Sequence, residues 1–336
     1  MQPGARYVRA HPSNTSRRAV VARRRAAGLA LAGLLALALA ACGGGGSPSA
    51  ATLVRDTFSA HKPIESGRID LSFALTPLDA AGAPQPGRAF ALRLQGPFQS
   101  LGPTRLPRFA LALTLTSAGH TLAAGLTSTA GRLFVGLEGA YFSAPAATVQ
   151  ALQQGYAQAT RAASAAASHS TFAALGVDPG EWIVRPRLAG SAEIGGAQAT
   201  HVTGELDVAR FLADAHKLSD ASGALGLGAS GQGLGVLSAA GISALSSSVR
   251  AASVDLYTGT RDHLLRRLSL TASISTAPQA RAALGGLQRA SLQLTLQFAG
   301  LDQPQAIGAP SNPQPISQLL PALERLGLAQ GAGTAG

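Results

Sequence analysis

Three sets of residues have the types and spacing for chemistry. Asp178 and Glu181 stand three apart, next to Trp182, the only tryptophan. Two carboxylates can divide general-acid and general-base work when their surroundings differ. The plainer reading is a turn, with Asp178 before Pro179 opening it and Trp182 anchoring it to the core. The histidines beyond the N-terminal segment are His61, His120, His169, His201, His216 and His263, and no two have a metal-ligand spacing. Gly226-Leu227-Gly228-Ala229-Ser230-Gly231 satisfies G-x-G-x-x-G. It lacks the buried strand before and the helix after that a dinucleotide site needs. G-x-S-x-G does not occur, so no nucleophile elbow is expected. These observations predict no catalytic site, no metal and no cofactor.

The residue with the most legible chemistry is Cys42, the single cysteine. One cysteine excludes an intrachain disulfide framework and a cysteine-based zinc cluster. Its surroundings are ordered as an export signal. Residues 1–25 are basic and polar, and the 16 residues Ala26–Ala41 are all apolar or small. That run is near the length of a signal-peptide apolar region and short of the roughly 20 residues of a spanning helix. It ends Leu39-Ala40-Ala41-Cys42, followed by Gly43–Gly46. The arrangement resembles a bacterial lipobox. The resemblance implies a diacylglyceryl group on the Cys42 thiol, cleavage of the preceding bond and a membrane anchor on the extracytoplasmic face. Two or three acyl chains would anchor stably, where one alone would not. The glycine run after Cys42 is a flexible tether. Ser16-Arg17-Arg18 partly resembles a twin-arginine signal, and general export fits equally.

Charge supports that division. The chain of 336 residues carries +11. Seven arginines precede Cys42, where no acidic residue occurs. The remaining 20 basic and 16 acidic residues leave +4 spread over the rest. A scattered +4 is not the basic stripe of a nucleic-acid-binding protein, so no nucleic-acid partner is expected. Hydrophobic content of 46% fits a folded chain.

After the tether, the elements can be read in order. A first helix is expected from Ser47-Pro48, capped by Ser47, to about His61, stopping before Pro63. A period of two then takes over. Ile69, Leu71, Phe73 and Leu75 alternate with smaller or polar residues, as do Phe90, Leu92 and Leu94, then Phe109, Leu111, Leu113 and Leu115. Leu122–Leu126 and Leu133–Leu137 continue the pattern. Successive strand side chains face opposite sides, so each segment has one apolar and one polar face. That is the mark of antiparallel strands with one solvated face. A helix follows from Pro145, with an Ala/Ser-rich tail at 162–170 that reads as frayed helix or loop. Strands return at 187–194 and 197–206, joined by Gly195-Gly196, and Asp207 caps another helix. Residues 219–235 read as a flexible insert. A short helix at 242–249 leads to strands at 254–256, 268–274 and 292–298. After Pro310, Pro313 and Pro315, residues 316–326 suit a final amphipathic helix.

The expected fold is α+β: a large curved antiparallel sheet, a half-barrel, with short helices packed on its concave apolar face. So much apolar sheet surface needs helices to cover it. The expected organisation is a signal peptide 1–41, a tether 42–49, one domain 50–305 and a Pro-rich exit with a helix over 306–336.

Three stretches carry a family resemblance: Leu133–Tyr141, Leu175–Trp182 and Thr200–Asp207. With the lipobox and the element order, they resemble the half-barrel carrier lipoproteins, namely the LolA/LolB-like fold and the mycobacterial LppX/LprG-type proteins. The resemblance spans roughly Ala50 to Gln305. It implies an apolar cavity between sheet and helices holding acyl chains of a lipid or lipidated ligand. The residues expected to line it are Leu71, Phe73, Leu92, Leu111, Leu113, Leu270, Leu294 and Leu296. The alternative from the same residues is a filled core in a structural, interaction or sensing lipoprotein, since alternation alone does not separate cavity wall from core.

Overall fold

Period-two alternation builds most of the molecule. The computed structural model describes residues 48–59, 64–165, 177–224 and 239–326. The expected signal peptide 1–41, Cys42, Gly43–Gly46 of the expected tether, His61, His169, the Gly226–Gly231 motif and residues 225–235 of the expected insert lie outside them. The chain divides into Met1–Pro48 and Ser49–Gly336. Every described helix and strand belongs to the second unit.

The strands run in chain order as β1 (Ser66–Leu78), β2 (Phe90–Gln99), β3 (Arg108–Ser117), β4 (His120–Thr129), β5 (Arg132–Leu137) and β6 (Ala140–Ser143). They continue as β7 (Ile183–Ile194), β8 (Ala197–Leu206), β9 (Val249–Gly259), β10 (Leu265–Ser275), β11 (Arg289–Ala299) and β12 (Gln314–Pro315). All twelve join one open sheet in the order β12-β6-β5-β4-β3-β2-β1-β11-β10-β9-β8-β7. Every pair is antiparallel except β12 with β6. The helices are α1 (Ala50–Phe58), α2 (Ala146–Ala165), α3 (Val208–Ala224), α4 (Ala239–Ser248) and α5 (Leu319–Arg325). The fold is therefore α+β, with a curved sheet that does not close into a barrel.

The β1–β11 pair unites the meander β1–β6 with the later strands. Its register runs from Arg68↔Ala299 to Leu78↔Arg289 without a shift. Residues directly opposite share a face. Leu113, Leu94, Leu71, Leu296, Leu268 and Leu256 therefore form one apolar row across six strands. Leu115, Leu92, Phe73, Leu294, Leu270 and Val254 form the next. A one-residue slip of any strand would turn its leucines to water, so the pattern itself fixes the register.

Two glycine positions answer to geometry. A Cβ on Gly96 would stand 2.0 Å from the Ala110 carbonyl oxygen, so β2 and β3 approach there only because the side chain is missing. Gly195 and Gly196, at φ 59° and 80°, form the tight β7–β8 turn that most other residues would strain.

Helices cover the apolar face at both ends. Near β8–β11, Leu53, Val54 and Phe58 of α1 pack with Trp182, Val202, Leu256, Leu268 and Leu270. At the other end, Ala322, Leu319 and Leu323 of α5 pack on Leu122, Leu137 and Phe142.

Several boundaries differ from the sequence reading. The cap of α1 is Ser49, not Ser47: its backbone is extended and its hydroxyl accepts from the Thr52 amide at 3.1 Å. The helix stops at Phe58, where the Ser59 amide caps Arg55. Helix α3 continues through residues 219–224, which glycine and serine content assigns to the insert. Val249 opens β9 and does not belong to α4. Strand β7 begins at Ile183, ahead of the expected Arg187, because two register shifts absorb the break in alternation around Pro186.

Candidate functional site

The site forms where α1, α3 and the Pro179–Trp182 turn meet the apolar rows. Helix α1 is directed by its apolar stripe, which buries Ala50, Leu53, Val54 and Phe58. Polar contacts hold its other side. Thr57 Oγ1 donates to Thr258 Oγ1 at 2.8 Å, and Asp56 Oδ2 lies 3.5 Å from His263 Nδ1 in the β9–β10 hairpin.

The turn is built as its composition suggests. The Asp178 carboxylate accepts from the Gly180 amide at 3.0 Å, and Pro179 occupies the first turn position. Trp182 is driven into the core and meets Phe211 of α3 edge-on, with ring centres 5.1 Å apart. The Trp182 carbonyl accepts from the Asp207 amide at 2.8 Å, and Asp207 in turn caps α3 by accepting from the Arg210 amide. Turn and helix are thus fixed to each other.

Between these elements and the sheet lies an apolar recess of about 280 Å³. Leu71, Leu268, Leu270, Leu294 and Leu296 form its floor. Phe58, Pro179, Trp182, Phe211 and Ala215 form its roof, and every lining side chain is apolar. A second recess of about 430 Å³ adjoins it, and Phe58 and Pro179 line both. The second is mixed in character: Ala51, Val54 and Ile183 lie beside Arg55, Asp178 and Glu181.

Of the eight residues expected to line a cavity, Leu71, Leu270, Leu294 and Leu296 meet in the apolar recess. Phe73, Leu92, Leu111 and Leu113 share the face by register but stand outside it, all four half-buried. Phe73 packs edge-on against Phe90 at 5.9 Å. The apolar face over β1–β3 is thus less completely covered than the fully buried Val254 and Leu256 farther along.

One residue at the site escapes the sequence reading. Asp214 is buried on α3 and its carboxylate accepts from Trp182 Nε1 at 2.9 Å, the Asp178 amide at 3.3 Å and Lys217 Nζ at 2.7 Å. Burial pushes its proton affinity up, but the three donors outweigh burial and hold the carboxyl below the ordinary carboxylate range. The available signal is an aspartate inside the apolar stripe of Phe211, Leu212 and Ala215.

The other residues with chemical potential lie in these surroundings. Glu181 Oε2 accepts from Arg210 Nη1 at 2.5 Å. His120 is exposed at the start of β4. His201 lies on the polar face, stacked on Tyr257 with ring centres 4.4 Å apart and bonded to Asp255 at 2.8 Å. Of the two adjacent arginines on β10, Arg266 is nearly buried and pairs with Asp262. Arg267 lies over Tyr257 and donates twice to Gln297. Among the described residues no group of three or more histidines, cysteines or acids is placed to hold a metal ion. Among them, too, no helix is long and apolar enough to cross a membrane.

No protein-family model matches the sequence. No curated protein matches it either. Solved structures do. The chain is similar to the crystal structure of LprF from Mycobacterium bovis, with 13% identity, 79% of this chain and 99% of that one covered, and a TM-score of 0.36. It is similar to the lipoprotein LppX of Mycobacterium tuberculosis, with 12% identity, 78% and 100% coverage and a TM-score of 0.33. A LolA superfamily protein from Nitrosomonas europaea matches at 8% identity, with 77% and 96% coverage and a TM-score of 0.18.

Proposed function

We propose that this chain is a lipid-anchored lipoprotein of the bacterial cell envelope that binds the acyl portion of a lipid or lipidated molecule between its sheet and helices. Its organisation in this reading is a signal peptide 1–41, a tether 42–49 anchored through Cys42, a single binding domain 50–305 and a C-terminal exit 306–336. The domain faces the extracytoplasmic side. No step of this function needs a catalytic group.

The observation that carries the reading is the recess lined wholly by apolar side chains, Leu71, Leu270, Leu294 and Leu296 among them. An acyl chain entering it would gain about 0.8 kcal/mol for each methylene removed from water. The half-buried leucines of β2 and β3 extend the same face, so a chain longer than the recess has apolar surface to follow. A second reading, a structural or sensing lipoprotein without a ligand, draws on the recess volume of about 280 Å³. That volume lies at the lower edge of the usual range for ligand sites, roughly 300–1,000 Å³.

Trp182 supplies the test, since it is the only tryptophan and lines the recess. A stearoyl chain carrying bromine atoms should quench its fluorescence saturably at concentrations below micelle formation. Bromine-free stearate should reverse the quenching. Quenching that never saturates, or that competitor does not reverse, would count for the ligand-free reading.

A further inference from the structure

We infer that the 430 Å³ recess is the head-group half of the ligand site, and that it takes a head with no net negative charge that donates hydrogen bonds. The inference rests on the acyl-binding reading above and adds to it the chemistry of the ligand's other end.

The two recesses differ in kind and are contiguous in residues. One is wholly apolar; the other brings Arg55, Asp178 and Glu181 around an apolar base. Phe58 and Pro179 contribute to both walls, so an amphiphile laid past them places its tail against leucines and its head among charges.

The charges are not those of an anion site. Among the described lining residues there are two carboxylates and one guanidinium. The guanidinium of Arg55 is largely exposed, with Nε 3.8 Å from its own neighbour Asp56. Asp178 uses one oxygen on the Gly180 amide, and Glu181 uses one on Arg210. Each carboxylate has lone pairs left to accept a hydrogen bond. A phosphate or a fatty-acid carboxylate would meet there the like charges of Asp178 and of Glu181, the latter already paired with Arg210, which costs affinity. A glyceryl or other hydroxylated neutral head would instead donate into them.

The test compares three ligands with the same dibrominated stearoyl chain: the free acid, the monoglyceride and the lysophosphatidate. Each is titrated below micelle formation against Trp182 fluorescence, at a pH where the free acid is ionised. The monoglyceride should bind at least about fivefold more tightly than either anion. Replacing both acids, Asp178→Asn with Glu181→Gln, should narrow the gap by improving the anions. Asparagine keeps an oxygen for the Gly180 amide, and circular dichroism checks that the turn and fold survive. Equal binding of all three, or tighter binding of an anion, overturns the head-group inference and leaves acyl binding standing. Failure of all three to quench overturns both.

Discussion

Trp182 Nε1 donates to Asp214 Oδ2 at 2.9 Å, joining the aromatic roof of the recess to a buried carboxylate on α3. The same carboxylate also accepts from the Asp178 amide and from Lys217. One charged group therefore holds the turn, the tryptophan and the helix in a single arrangement. The recess keeps its shape through that arrangement, because apart from Trp182 the side chains lining it have no group that can make a directional bond.

Replacing Asp214 with alanine should cost about 1–3 kcal/mol, since the Trp182 donor and the Asp178 amide would be left without an acceptor. Denaturant melts of the domain would read the loss. Trp182 emission should also shift as the indole loses its partner.

The same carboxylate predicts a dependence on acid. Its affinity for protons is lowered by folding, so the unfolded chain binds more protons as pH falls. The stability it contributes is fully present above the ordinary carboxylate range and is lost as pH drops through the folded-state value. Asp214→Asn should therefore be less stable at neutral pH and should lose less stability on acidification than the parent. Parallel slopes for the two proteins in melts across the acid range would contradict this.

Filling the recess should separate binding from folding. Leu71 is half-buried and lines the recess floor. Leu71→Trp, read with a fluorescent fatty acid because it adds a second tryptophan, should weaken uptake by about tenfold or more, a loss of about 1.4 kcal/mol, while thermal stability stays near the parent's. Leu270→Ala is the contrasting change. Leu270 is 2% exposed, and its truncation should destabilise the domain by about 2–5 kcal/mol.

Anchoring has its own test. Cys42→Ser in cells should leave an unlipidated chain that no longer partitions into detergent. If the variant is still processed at the same place and stays with the membrane, the lipobox reading fails.

Sequence pattern tells most about the sheet, because a period of two is visible in any strand long enough to repeat it. Spacing puts Leu71, Phe73, Leu92 and Leu113 on one face, and the register agrees. Spacing does not say where along that face a helix will sit, so it groups Leu92 and Leu113 with Leu294 although only Leu294 meets the recess. The roof is less legible. Phe58, Trp182 and Phe211 come from three distant segments, and only tertiary packing brings them together. Strand β12 is two residues long and pairs in parallel with the four-residue β6, too short for any alternation to announce it. Asp214 is visible as a charge in an apolar helical stripe, but its partners are not, since Trp182 lies 32 positions away.

Whether the domain carries an acyl ligand is tested most directly by native mass spectrometry of the protein taken gently from cell membranes. Acyl binding requires a discrete added mass of lipid size on the folded domain, beyond the mass of the proposed anchor on Cys42, and its loss in Leu71→Trp. Repeated spectra of bare protein, with no uptake of a fluorescent fatty acid by the same preparation, would rule it out.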